Sequence, residues 1–120
     1  MANDFKRFAI SSVNTSSGAS ASAVYTVPSS GSAMESIIIG ITLANKTSTG
    51  VTASVFLDNF SGSNDVFIVK DATIPAGSSL EVMAGNKIVV QGNGTNNDVI
   101  RVSSGTASAV DAIVSVLEDV

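Results

Sequence analysis

A chain of 120 residues has the length of one domain, and this one contains no cysteine, histidine or tryptophan. That excludes a disulfide framework, thiolate metal sites, thiol nucleophiles and any side chain that ordinarily titrates near neutrality. The net charge is −4, and the six basic residues are scattered, too few to track a phosphate backbone, so no nucleic-acid binding is expected.

Residues 1–20 read as an N-terminal arm or an edge strand, ahead of a β-sandwich domain over residues 21–120. In Phe5-Lys6-Arg7-Phe8-Ala9-Ile10, Phe8 and Ile10 share a face at strand spacing. Residues 11–22 are nearly all small, as in a loop. No apolar run follows Met1, so no signal peptide is expected and synthesis is expected in the cytoplasm. The longest apolar stretch, residues 37–41, falls far short of the roughly 20 residues that span a membrane, and no membrane role is expected.

Residues 23–27 read as a strand stopped by Pro28 and a Ser-Ser-Gly turn at 29–31. Residues 35–45 carry the strongest strand signal. Alternation assigns Ile37, Ile39, Ile41 and Leu43 to one face and Ile38, Gly40, Thr42 and Ala44 to the other, with Gly40 marking a bulge or a close approach. In residues 51–58, Val51, Ala53, Val55 and Leu57 are expected inward. Thr52, Ser54, Phe56 and Asp58 are expected outward, which makes Phe56 a large apolar group on a polar face.

A loop with Gly62 at its tip precedes a strand at 66–70. Residues 71–77 read as an extended connection, since Pro75 restricts it to an edge. Short strands at Leu80–Val82 and 88–90 flank a turn at 84–87. A Gly/Asn-rich loop over 91–97 follows, then strands at 99–103 and 109–117. The β-branched content of the last segment argues for strand over helix. Turn signals recur roughly every 8–12 residues, the pattern of an antiparallel two-layer fold. The fold class is therefore all-β: a single-domain antiparallel β-sandwich, jelly-roll or Ig-like, of about eight strands.

Little in the sequence points to a reaction. The ten carboxylates sit mostly at strand ends and turns, where solvated charge is the default. A serine nucleophile needs a base. With histidine absent only lysine remains, and Lys46, Lys70 and Lys87 lie in no Ser-x-x-Lys motif. Gly92-Asn93-Gly94 resembles half a phosphate loop but lacks the helix that would follow it. Oxygen ligands for calcium could come from Asn93, Asn96, Asn97 and Asp98, or from Asp58, Asn59, Asn64 and Asp65, yet neither set has EF-hand spacing and both are ordinary turn residues. Four Asn-x-Ser/Thr triplets, beginning at Asn14, Asn45, Asn59 and Asn93, are expected by chance in so Ser/Thr-rich a chain. The expectation is no enzyme, no catalytic, cofactor or metal residue, and no small-molecule substrate. Candidate interface residues are Phe5, Lys6, Arg7, Phe8, Phe56 and Phe60, because exposed aromatics anchor interfaces. Tyr25 is expected to add a hydroxyl at a rim.

Gly40-Ile41-Thr42-Leu43-Ala44-Asn45, the alternating strand at 51–57, the run Val66-Phe67-Ile68-Val69-Lys70-Asp71-Ala72-Thr73-Ile74-Pro75-Ala76-Gly77-Ser78-Ser79-Leu80 and the ending Ala112-Ile113-Val114-Ser115-Val116-Leu117-Glu118 follow one another in a familiar order. Over residues 20–119 the chain resembles small β-sandwich virion proteins of tailed bacteriophages, including those of marine bacteria and cyanobacteria. The resemblance implies a structural role in the virion, foremost a capsid decoration or cement protein bridging major capsid subunits. A neck or tail accessory protein is the alternative. It also implies other virion subunits as partners and a possible homo-oligomer. A host-surface or carbohydrate-binding module is a rival reading, which requires clustered exposed aromatics with acidic or amide partners; one tyrosine and no tryptophan count against it.

Overall fold

The computed structural model describes residues 3–28, 34–59, 65–83, 87–93 and 95–119. Phe60, Asn64 and the turns expected at 29–31, around Gly62, at 84–86 and at Gly94 lie outside these residues. Nine strands are formed among the described residues: β1 (Asn3–Ile10), β2 (Ser22–Thr26), β3 (Met34–Asn45), β4 (Val51–Asp58), β5 (Asp65–Ile74), β6 (Ser79–Glu81), β7 (Ile88–Gly92), β8 (Val99–Ser104) and β9 (Val110–Asp119). A single 3-10 turn at Gly18–Ser20 lies between β1 and β2. The fold is the all-β antiparallel sandwich that the alternation indicates.

One sheet has the order β1-β9-β3, with β6 and β7 sharing the far edge of β3; the other has the order β2-β8-β4-β5. The antiparallel pairs are nested: β1 with β9, β2 with β8, β3 with β6 and β7, and β4 with β5. A long hairpin with its tip at β4–β5 has been rolled so that most successive strands alternate between sheets. That is jelly-roll topology. Residues 3–10 are the edge strand of the first sheet, bonded along their length to β9, and not a free arm.

The core lies between the sheets. Ile38, Ile41 and Leu43 of β3, Val55 of β4, Ile100 and Val102 of β8 and Val114 and Val116 of β9 are all fully buried. Burying one such side chain contributes roughly 1.5–3 kcal/mol. The alternation expected for β3 is broken at one place. Ile38 faces Val116 and Gly40 faces Ser115, so Ile39 is an extra residue, a bulge. Met34, Ser36 and Ile38 point inward before it; Ile41, Leu43 and Asn45 point inward after it. The expectation that Ile37 and Ile39 share a face with Ile41 and Leu43 is thereby corrected: Ile37 is half-buried and Ile39 exposed while Ile41 and Leu43 are in the core, because one inserted residue reverses every side chain on one side of it.

Strand β5 also departs from expectation. It runs on through residues 71–74, which read as a connection. Against β4 it carries two extra residues, one at Ile68 and one within 70–71, and Asp71 takes a left-handed φ of 50°. Asp is among the residues that tolerate that region. Bulges of this kind blunt an edge strand against unwanted pairing.

Candidate functional site

The outer faces of the two sheets differ in chemistry. On the β1-β9-β3 sheet, Phe5 lies opposite Leu117, Leu117 opposite Ile37, and Ile37 opposite Val89. These four side chains form an apolar row across β1, β9, β3 and β7 on the solvent side. Phe5 is 78% and Val89 56% exposed, while Leu117 and Ile37 are half-buried. Ile113, on the same face of β9, is exposed, as is the bulged Ile39. Contiguous exposed apolar surface of this kind marks contact sites more often than scattered single residues do.

Beneath the β1 end of that row, the interior carries a polar cluster. Lys6 and Phe8 point inward from β1. The Tyr25 hydroxyl donates to Glu118 Oε2 at 2.7 Å and shares a hydrogen bond of 2.8 Å with Ser36 Oγ. Lys6 Nζ stands 2.9 Å from Glu118 Oε1, and the Phe8 ring packs at 4.8 Å from that of Tyr25. Glu118 is buried, and Lys6 is the counter-charge at its solvent side. Burial first, and the donated bond to Glu118 next among the raising effects, hold the Tyr25 phenol well above its usual range, although the bond with Ser36 opposes them. The hydrogen bond and charge of Glu118 raise Lys6. This cluster pins β1, and with it Phe5, to the core.

The outer face of the β2-β8-β4-β5 sheet is organised by polar groups. Arg101 Nε donates to Asp58 Oδ2 at 2.8 Å, and Nη1 donates to the Ala21 carbonyl at 2.9 Å. Next to Arg101 across the strands come Phe56 and then Phe67, whose rings lie 5.3 Å apart. Phe56 does face outward, as alternation requires, but it is only 2% exposed, so its expected role as an exposed contact is corrected. It floors a cleft of about 470 Å³ walled by residues 15–18, by β5 at Phe67, Lys70 and Asp71, and by residues 103–105.

The 14–22 wall is held rigidly by Asn14. Its Oδ1 accepts from the Ser16 and Ser22 amides at 3.2 Å each, its Nδ2 donates to the Ser20 carbonyl at 2.9 Å, and its own carbonyl accepts from the Ser104 amide at 3.0 Å. Opposite, the Asp71 amide donates to Ser54 Oγ at 2.9 Å and Lys70 Nζ lies 3.3 Å from Asp71 Oδ2.

Among the candidate interface residues, then, Phe5 and Arg7 are exposed on one outer face, Phe8 turns to the interior, Lys6 reaches from the same side of β1 to Glu118 but stays exposed, Phe56 is buried on the other face, and Phe60 is outside the described residues. Ile37, Val89, Leu117 and Phe67 were missed, since each becomes notable only once strand register sets it beside its neighbours. Three of the calcium candidates are otherwise engaged: Asn93 Oδ1 accepts from the Thr95 and Asn96 amides, Asp98 Oδ2 from the Gln91 amide, and Asp58 pairs with Arg101. Among the described residues no group of three or more acidic side chains is placed to hold a metal ion, and no helix is long and apolar enough to cross a membrane. No protein-family model and no curated protein matches the sequence.

Proposed function

We propose that this protein is a non-enzymatic structural subunit that docks on a larger protein assembly through the outer face of the β1-β9-β3 sheet. The observation that carries the reading is the apolar row Phe5–Leu117–Ile37–Val89, which crosses four strands and stays open to solvent. A row on a sheet is a flat, rigid surface that loses little entropy on binding. Arg7 beside it supplies a charge at the rim, where charges steer more than they hold.

The partner we propose is the major capsid protein of a tailed bacteriophage, with the protein acting as a decoration or cement subunit in the virion after synthesis in the host cytoplasm. The landmark order of residues 20–119 supports this. So does, as fold-level analogy, the recurrence of jelly rolls in viral capsids. Bridging adjacent shell subunits would add a modest free energy at each of many sites. A neck or tail position uses the same face and differs in location alone. Self-association remains compatible with either.

The test is addition of purified protein to undecorated capsids. Saturable binding that raises shell resistance to heat, and that is lost in Val89→Lys, is the expected result. No binding to shells, with labelling at the portal or tail, moves the subunit to the neck or tail. Unchanged binding in both Val89→Lys and Ile37→Glu overturns the proposed face.

A further inference from the structure

We infer that the cleft on the opposite face, over Phe56 and Phe67, is a binding site for a neutral hexopyranose, the ring of a cell-surface or soluble saccharide. Its volume of about 470 Å³ falls within the roughly 300–1,000 Å³ typical of small-ligand sites. Its composition is amphipathic. The floor is aromatic: Phe56 is buried, and Phe67, tilted 48° to it, lines the cleft and is 46% exposed. The rim is built of short hydroxyls from Thr15, Ser16, Ser17 and Ser103, with carboxylates at Asp65 and Asp71. A pyranose matches that layout, with an apolar C–H face to lie on an aromatic ring and hydroxyls around its edge to exchange hydrogen bonds.

Charge selects against other ligands. The one lysine of the lining, Lys70, is paired with Asp71, and Asp65 is a second carboxylate, so the lining carries no excess positive charge for a phosphate or sulfate. Lys70 Nζ sits 5.4 Å from the Phe67 ring centroid. Its side chain and that of Asp71 are more than half exposed, and exposed pairs of this kind hold weakly. An entering sugar displaces the ammonium from the ring and takes its place. The walls are already set, by Asn14 on one side and by the left-handed Asp71 bonded to Ser54 on the other, so ordering them costs little on binding. The site faces away from the apolar row, so docking and sugar binding do not compete, and the inference does not rest on the docking proposal.

The experiment is a two-dimensional amide NMR titration of the full chain with methyl β-glucopyranoside, methyl β-galactopyranoside and methyl α-mannopyranoside. At least one glycoside is expected to shift the amides of residues 16–18, 67–71 and 103–105 saturably. Phe67→Ala is expected to weaken that binding about tenfold, the loss of one aromatic contact, while core amides such as Val102 and Val114 stay in place. Asp71→Asn keeps a residue that tolerates the left-handed backbone and is expected to weaken binding several-fold. Val89→Lys should bind the sugar as the unaltered chain does, which separates this test from the docking one. Three results would overturn the inference: no shift at these amides with any of the three glycosides, binding undiminished in both Phe67→Ala and Asp71→Asn, or saturation by inorganic sulfate in place of sugar.

Discussion

The two outer faces of this sandwich are built by the same alternation and end up chemically opposite. On the β1-β9-β3 sheet the outward positions include Phe5, Ile37, Val89, Ile113 and Leu117, and nothing in the described structure covers them. On the β2-β8-β4-β5 sheet one outward aromatic, Phe56, is enclosed beside the half-exposed Phe67, and around them the face carries hydroxyls, an Arg–Asp pair and a loop fixed by Asn14. The difference teaches that an outward position on a strand says little about exposure. What decides is whether a distant segment crosses that face. Residues 14–20 cross the second sheet, and no described segment crosses the row on the first.

The sharpest way to break the contrast is Phe56→Ala. If Phe56 is enclosed as described, its truncation costs about 3–5 kcal/mol, read as a fall in the urea midpoint. Phe67→Ala, half-exposed on the same face, should cost less than half as much. Equal small losses for the two would mean that the cleft floor is not packed.

Next in size is Tyr25→Phe. It leaves Glu118 and Ser36 without the phenol that bridges them, at a cost of about 1–3 kcal/mol. Because this cluster ties β1 to the core, amide exchange in β1 should quicken more than exchange in β4. The same residue gives a pH test. Its folded pKa is raised, so the folded state keeps a proton that the unfolded chain releases above its ordinary pKa of about 10. The stability this contributes is complete below that value and is lost as pH climbs above it. In Tyr25→Phe the alkaline fall should be shallower, as chemical denaturation at several pH values would reveal.

A smaller effect is expected on the open face. Val89→Lys and Ile37→Glu should both abolish docking; Val89→Lys should shift the unfolding free energy by about 0.5 kcal/mol or less, as exposed positions do, and Ile37→Glu by more, because Ile37 is half-buried. A large loss of stability would instead make the row part of the fold.

The smallest expected effect concerns Asp111. Its carboxyl is held below the usual range by the hydrogen bond from Lys46 Nζ first and by the Ser12 amide next. A depressed carboxylate contributes stability above its ordinary pKa and loses it as pH falls through the folded value. Asp111→Asn should therefore lower stability at neutral pH slightly and soften the acid limb by the same small amount, since the pair is solvent-screened.

Much of the fold was legible from residue order. The strand at 51–58 was read to its end residues, and the strands at 23–27, 35–45, 88–90, 99–103 and 109–117 lie within a residue or two of the observed ones. Alternating β-branched residues between turn formers are a local signal, and strand formation answers to it. The candidate sites were less legible. Phe5 was picked out by exposure-prone position, but its partners Leu117, Ile37 and Val89 belong to three other strands. The cleft joins residues 15–18, 65–71 and 103–105, and no local pattern connects them.

What this sequence determines by itself is where the chain is extended, which residue types it has for chemistry, and that a two-sheet core must result. What only the tertiary structure decided is the nesting of strands, the bulge at Ile39 that exchanges the two faces of β3, the burial of Phe56 and the pairing of Glu118 with Tyr25 and Lys6. The physical reason is range. Backbone conformation follows from neighbours a few residues away, whereas exposure and partnership depend on which far segment arrives, and a single inserted residue is enough to reverse which side chains it meets.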